Sequence, residues 1–217
     1  MTDQTADRSR VVGAVLLATA IATVALLLNH PGESATDFAG VLKEEAANQL
    51  ANAAVHGGFT IVLAIQLACY AIFSGRLGWQ RGPAITGLVF FLIGAALMTA
   101  SLIVDGLVIP QLAARYVAAP PDRLPNARSL FLLCSVAIQF LMPMGLFWQG
   151  AGITAWGAAA MRSTRIGGMA GVLIGLAVIA ATVGAAVSGQ QMLLMLAIMG
   201  LAVWAAVAGA LMFRRII

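Results

Sequence analysis

The sequence predicts an all-α integral membrane protein: a bundle of six transmembrane helices with an amphipathic interfacial helix between helices 1 and 2. All of it belongs to a single transmembrane domain, 1–217. Three observations carry that expectation. Hydrophobic types make up 61% of the 217 residues against 9% charged, too little polar surface for a water-soluble fold of this size. Charge-free runs of the length needed to cross a hydrocarbon core, about 20 residues at about 1.5 Å of rise each, recur along the chain. Basic residues also collect in alternate connections, as the positive-inside rule requires.

The first apolar run, 11–28, follows Arg8 and Arg10 and is closed by Asn29-His30-Pro31. It is longer than a signal-peptide core, and its small-residue triplet Ala18-Thr19-Ala20 lies mid-run, where cleavage would be misplaced. A retained helix over about 11–29 follows. Phe38, Val41, Leu42, Ala46 and Leu50 then repeat at helical spacing opposite Lys43 and Glu44. This pattern predicts an amphipathic helix over about 36–50, lying along the bilayer interface.

The second and third spans are expected over about 51–74 and 83–109, with Pro110 ending the latter. Residues 110–128 carry Pro120, Pro121 and Pro125 and read as a stiff, irregular cover. The fourth span, about 129–160, exceeds the hydrocarbon thickness and has to tilt, bend or protrude; Pro143, between Met142 and Met144, is its natural bend point. The final uncharged run, 166–213, is too long for one crossing. Ser188-Gly189-Gln190-Gln191 divides it into helices of about 166–187 and 191–213. Within the fifth helix, Gly167, Gly171 and Gly175 form a ridge at four-residue spacing. Another helix of the same chain closing on it is the favoured reading; a second copy or a membrane partner is the alternative. No internal repeat emerges.

The net charge of +4 reflects topology. Arg8, Arg10, Arg76, Arg81, Arg162, Arg165, Arg214 and Arg215 fall on one side of the membrane. Lys43, Arg115, Arg123 and Arg128 fall on the other, with Glu33, Asp37, Glu44, Glu45 and Asp122. The asymmetry predicts a multi-pass protein of the cell (inner) membrane with both termini cytoplasmic. No basic patch tracks a phosphate backbone, so the partner is the lipid bilayer and not nucleic acid. Cys69 and Cys134 fall near opposite faces, which argues against a disulfide between them.

Polar side chains inside spans are costly without partners and mark where chemistry can sit. Glu45, Asn48, Gln49, Asn52 and His56 form one helical stripe, Ser101 and Asp105 a second, and Ser135 and Gln139 a third. All three lie toward the outer side. Gly57 and Gly58, following His56, would let a helix or ligand approach. The leading expectation is an outward-facing polar pocket of Glu45, Asn52, His56, Asp105 and Gln139. It would bind a small molecule or ion in proton-coupled transport or sensing, with His56 and Asp105 as the titrating pair.

A second reading makes His30, Glu33, His56 and Asp105 ligands to a transition metal, or places a haem between His30 and His56, for redox or hydrolytic chemistry. A third makes the protein a scaffold or complex subunit whose polar side chains only join helices. Glu44 and Glu45, being adjacent on a helix, cannot both face one centre. HExxH, GxSxG, P-loop and dinucleotide signatures are missing from the sequence, so enzyme and non-enzyme readings both stay open.

Overall fold

The computed structural model describes the backbone of residues 2–32 and 34–217, with side chains from residue 7 onward except that of Glu33. The chain is helical, with no strand among the described residues: α1 (Thr2–Leu28), α2 (Phe38–Ala47), α3 (Gln49–Leu77), α4 (Gly82–Ile103), a π-helical turn (Val104–Val108), α5 (Ile109–Tyr116), a 3-10 turn (Pro121–Arg123), α6 (Leu124–Ala160), α7 (Arg165–Ser188) and α8 (Gln191–Phe213). Six helical stretches are long and apolar enough to cross a membrane: Asp7–Leu28, Gln49–Leu77, Gly82–Tyr116, Pro121–Ala160, Arg165–Ser188 and Gln191–Phe213. The protein is a multi-pass membrane protein.

Several boundaries differ from the sequence expectation for identifiable reasons. α1 continues from its apolar run into the polar residues preceding it, where helical backbone bonds form whatever the hydropathy. Pro110 does not end the third span. It stands just after the π turn, inside one continuous helical path that runs from Gly82 to Tyr116. Pro125 opens α6. The expected irregular cover over 110–128 therefore shrinks to the short connection between α5 and α6. α6 is 37 residues long, about 55 Å of helix, and stays helical through Pro143. The turn between the last two spans is as expected: Gly189 adopts a left-handed φ of 71° and its N–H caps the Ala185 carbonyl.

The six long helices close a ring in the order α1, α3, α4, α6, α7, α8 and back to α1. Aromatic residues fill its interior nearer the termini. Tyr70 and Phe73 of α3, Phe91 of α4, Trp156 of α6 and Trp204 of α8 are all buried, with ring centroids 4.7 Å apart for Tyr70–Trp156 and 5.8 Å for Phe73–Trp204. Trp156 Nε1–H donates to Ser74 Oγ at 2.8 Å, which satisfies both polar groups away from water. Outward, Ile21 and Phe140 are 72% and 69% exposed, as lipid contact favours.

Glycine sets the closest helix approaches. A Cβ at Gly171 would lie 2.8 Å from Gly157 Cα and 2.8 Å from Trp204, and one at Gly175 would lie 2.6 Å from the Gly150 carbonyl. α6 and α8 of the same chain thus close the Gly167, Gly171, Gly175 ridge. All three glycines are buried, which removes that ridge from the surface open to a partner.

α2 packs against the bundle end opposite the termini. Its Leu42 is buried with Ile109, Ala113 and Phe131, and Phe38 meets Phe131 edge-on at 5.4 Å. Asp37 caps its N-terminus, accepting from Gly40 N–H at 2.7 Å. Asn48 separates α2 from α3.

Candidate metal centre

Three connections converge at the end of the bundle opposite the termini. The chain leaves α1 at His30-Pro31. The first two turns of α3 carry Asn52 and His56. The π turn after α4 carries Asp105 and Gly106. Here the Ile109 N–H reaches back five residues to the Val104 carbonyl, accommodating one extra residue in the turn, a device frequent at functional sites. Asp105 and Gly106 consequently both face α3. Gly106 is where the backbones come closest, since a Cβ there would overlap His56 Cβ and Cγ.

Each imidazole has its tautomer set by a backbone carbonyl. His56 Nδ1–H donates to the Asn52 carbonyl at 2.9 Å and His30 Nδ1–H to the Pro31 carbonyl at 2.9 Å. A carbonyl oxygen can only accept, so the proton sits on Nδ1 in both rings and the Nε2 lone pairs point elsewhere. The two Nε2 atoms nevertheless come close together. They lie 3.3 Å apart, and His56 Nε2 lies 3.1 Å from Asp105 Oδ2. All three ligand atoms fall within 4.8 Å of one another. Two lone pairs and a carboxylate facing inward repel unless positive charge lies among them, as a proton or a metal ion.

Burial is graded across the cluster. His56 is buried and the Asp105 side chain is 31% exposed, while His30 is exposed on the outer rim. Behind His56, the Asn52 side-chain amide donates to Glu45 Oε2 at 2.8 Å, and Glu45 and Asn52 are both buried. Glu44 turns the other way. Its carboxylate accepts from the Ser34 hydroxyl, from Ser34 N–H at 3.0 Å and from Ala35 N–H at 3.1 Å. It therefore ties down the segment just beyond His30. These bonds hold the Glu44 carboxyl below the usual glutamate range, the Ser34 hydroxyl contributing most. The two adjacent acids indeed serve different centres.

Of the sequence-derived candidates, the structure joins His56 to Asp105 and His30, and Asn52 to Glu45. Gln139 stands apart: it is exposed on α6, with no hydrogen bond to the cluster, because its helical face turns outward. Glu33 lies outside the described residues. Ser101, a turn before Asp105, is fully buried and its Oγ has no hydrogen-bond partner among the described residues. Gly57 faces open space and Gly58 meets only the Leu26 side chain, so Gly106 is the glycine that admits the close approach. The imidazoles meet edge to face with centroids 4.9 Å apart, which leaves no slot for a porphyrin between them.

The π turn, the two carbonyls that set the tautomers and the Glu44 tie escaped the sequence reading. Only Gly106, directly after the lone acid of an apolar run, offered a signal. Comparison with family models, curated proteins and solved structures finds no match for this chain.

Proposed function

We propose that this protein binds a single transition-metal ion at one end of its membrane bundle, with His30 Nε2, His56 Nε2 and an Asp105 carboxylate oxygen as ligands. The observation that carries the proposal is the convergence of two imidazole lone pairs, each directed by a carbonyl on the opposite ring nitrogen, upon one carboxylate. Metal-binding histidines characteristically donate their second N–H in this way. Two of the three separations match. Tetrahedral zinc with bonds of about 2.0–2.1 Å places its ligand atoms about 3.3 Å apart, against 3.1 Å for His56–Asp105 and 3.3 Å for His30–His56. The cluster spans up to 4.8 Å, and exposed His30 has to draw in on binding. Such separations admit an ion and not an organic molecule. Two imidazoles with one carboxylate suit zinc, iron or nickel better than magnesium or calcium.

The arginine asymmetry supports an orientation with both termini cytoplasmic and the metal end facing outward across the inner membrane. The protein then takes its ion from the outer aqueous phase, with exposed His30 as the last ligand to close. The test is metal titration of the detergent-purified, chelator-stripped protein, read by elemental analysis and by cobalt(II) absorption. The wild type is expected to take up about one ion per chain and to show tetrahedral-type cobalt bands. His56→Ala and Asp105→Asn, helical by circular dichroism, are expected to lose both. A wild type that takes up none of zinc, cobalt, nickel or iron overturns the proposal.

A further inference from the structure

We infer that Glu45 is the second carboxylate of this centre, a positioning residue that acts on the ion through Asn52 and His56. The inference rests on the metal reading above and extends it from the ligands to the residues behind them.

The chain of contacts is continuous. Glu45 Oε2 accepts from Asn52 Nδ2–H at 2.8 Å, and the carbonyl of the same Asn52 accepts from His56 Nδ1–H at 2.9 Å. Gripping the Asn52 side chain fixes the turn of α3 whose backbone carbonyl orients the ligand ring, and so holds His56 Nε2 toward the site. Glu45 is only 9% exposed, and a carboxylate so placed loses much of its hydration, a loss that a nearby cation offsets.

Placement on α2 gives Glu45 a further consequence. α2 touches every segment that carries a ligand: Glu44 bonds the backbone at Ser34 and Ala35 beyond His30, Glu45 bonds Asn52 below His56, and Leu42 packs on Ile109 just after the π turn that bears Asp105. α2 thus braces each of the segments that carry a ligand.

The experiment compares Glu45→Gln, Glu45→Asp and Asn52→Ala with the wild type in the full-length, detergent-solubilised protein. Zinc affinity is measured by competition with a chromophoric chelator, cobalt(II) absorption reports ligand geometry, and the melting temperature is taken in the metal-free state. Glu45→Gln keeps size and hydrogen-bonding capacity and removes only charge. It is expected to weaken zinc binding about 10- to 100-fold and to shift the cobalt bands, with the metal-free melting temperature unchanged or raised. Glu45→Asp is expected to recover part of the loss, and Asn52→Ala to reproduce it. Unchanged zinc affinity in Glu45→Gln overturns the inference, as does a loss accompanied by an equal fall in metal-free stability. A wild type that binds no metal overturns the underlying reading, which is a separate outcome.

Discussion

Replacing Gly106 by alanine tests the site at its tightest point. In an ordinary helix this substitution favours the folded state by about 1 kcal/mol, because alanine loses less backbone entropy. Here the added Cβ would meet His56 Cβ and Cγ and would lie 2.8 Å from His56 Nδ1. Those atoms belong to the stem of the side chain, so no rotation of its far end relieves the overlap; α3 and the π turn have to separate. Overpacking of this kind costs about 1–3 kcal/mol, and a clash with the stem belongs at the upper end. The net expectation is a destabilisation of about 2 kcal/mol, a fall of about 4–8 °C in melting temperature for a chain of this size.

Metal affinity should suffer more, because a ligand has to be held within about 0.5 Å of its productive position. Structural zinc sites bind with about 10–16 kcal/mol over four ligands, or about 3 kcal/mol for each. Losing the His56 ligand is therefore worth about 100-fold in the zinc dissociation constant. Gly57→Ala, next to the same histidine with nothing within 4 Å of its Cβ, is the control and should match or slightly exceed the wild type in stability. If Gly106→Ala melts at or above the wild-type temperature with zinc affinity intact, the close approach assigned to this glycine is wrong.

Other outcomes follow from the same contacts. Glu44 has a carboxyl shifted below its ordinary value, so its contribution is fully present above the unfolded value of about 4.3 and is lost as pH falls through the lower folded value. Carboxyl carbon NMR should show Glu44 titrating below that reference and Ser34→Ala raising the midpoint; a midpoint at or above it contradicts the assigned bonds. Trp156→Phe removes the buried bond to Ser74 and leaves its hydroxyl unpaired, which should cost about 1–3 kcal/mol by thermal denaturation in detergent. Gly157→Ala would place a Cβ 2.7 Å from the Gly171 carbonyl carbon. It should lower the melting temperature by an amount similar to Gly106→Ala while leaving zinc affinity within about twofold, since the α6–α7 contact is remote from the metal centre.

The six spans were legible because each depends on a local property. Apolar length identifies a crossing wherever it occurs, and the left-handed turn at Gly189 needs only its own residue type. What the sequence obscured was the role of proline. Pro110 looked like a terminator and Pro125 like part of an irregular cover, yet Pro125 stands in the first turn of α6, a position proline tolerates as well as a loop, and Pro110 lies within a continuous helical path. The choice depends on whether the preceding turn can hand over the chain. At Pro110 it can, because the π turn supplies the handover, and π geometry has no residue signature.

The candidate metal centre shows the same division at finer scale. His56, Asp105 and Asn52 were visible as polar residues with no reason to be in an apolar run, and a stripe at helical spacing already placed Glu45 with Asn52. Gln139 satisfied that criterion equally well and is nevertheless exposed on α6, since helical spacing alone does not say which way a helix is rotated against its neighbours. His30 is the opposite case. It lies beyond the apolar run and ahead of Pro31, the features that made it look like a loop residue, but the proline carbonyl fixes its tautomer and Glu44 ties down the backbone that follows. A loop histidine held in this way can close over a buried one. The inward convergence of acceptors at the end of a lipid-embedded bundle thus depends on a residue whose own sequence context is the least membrane-like of the three.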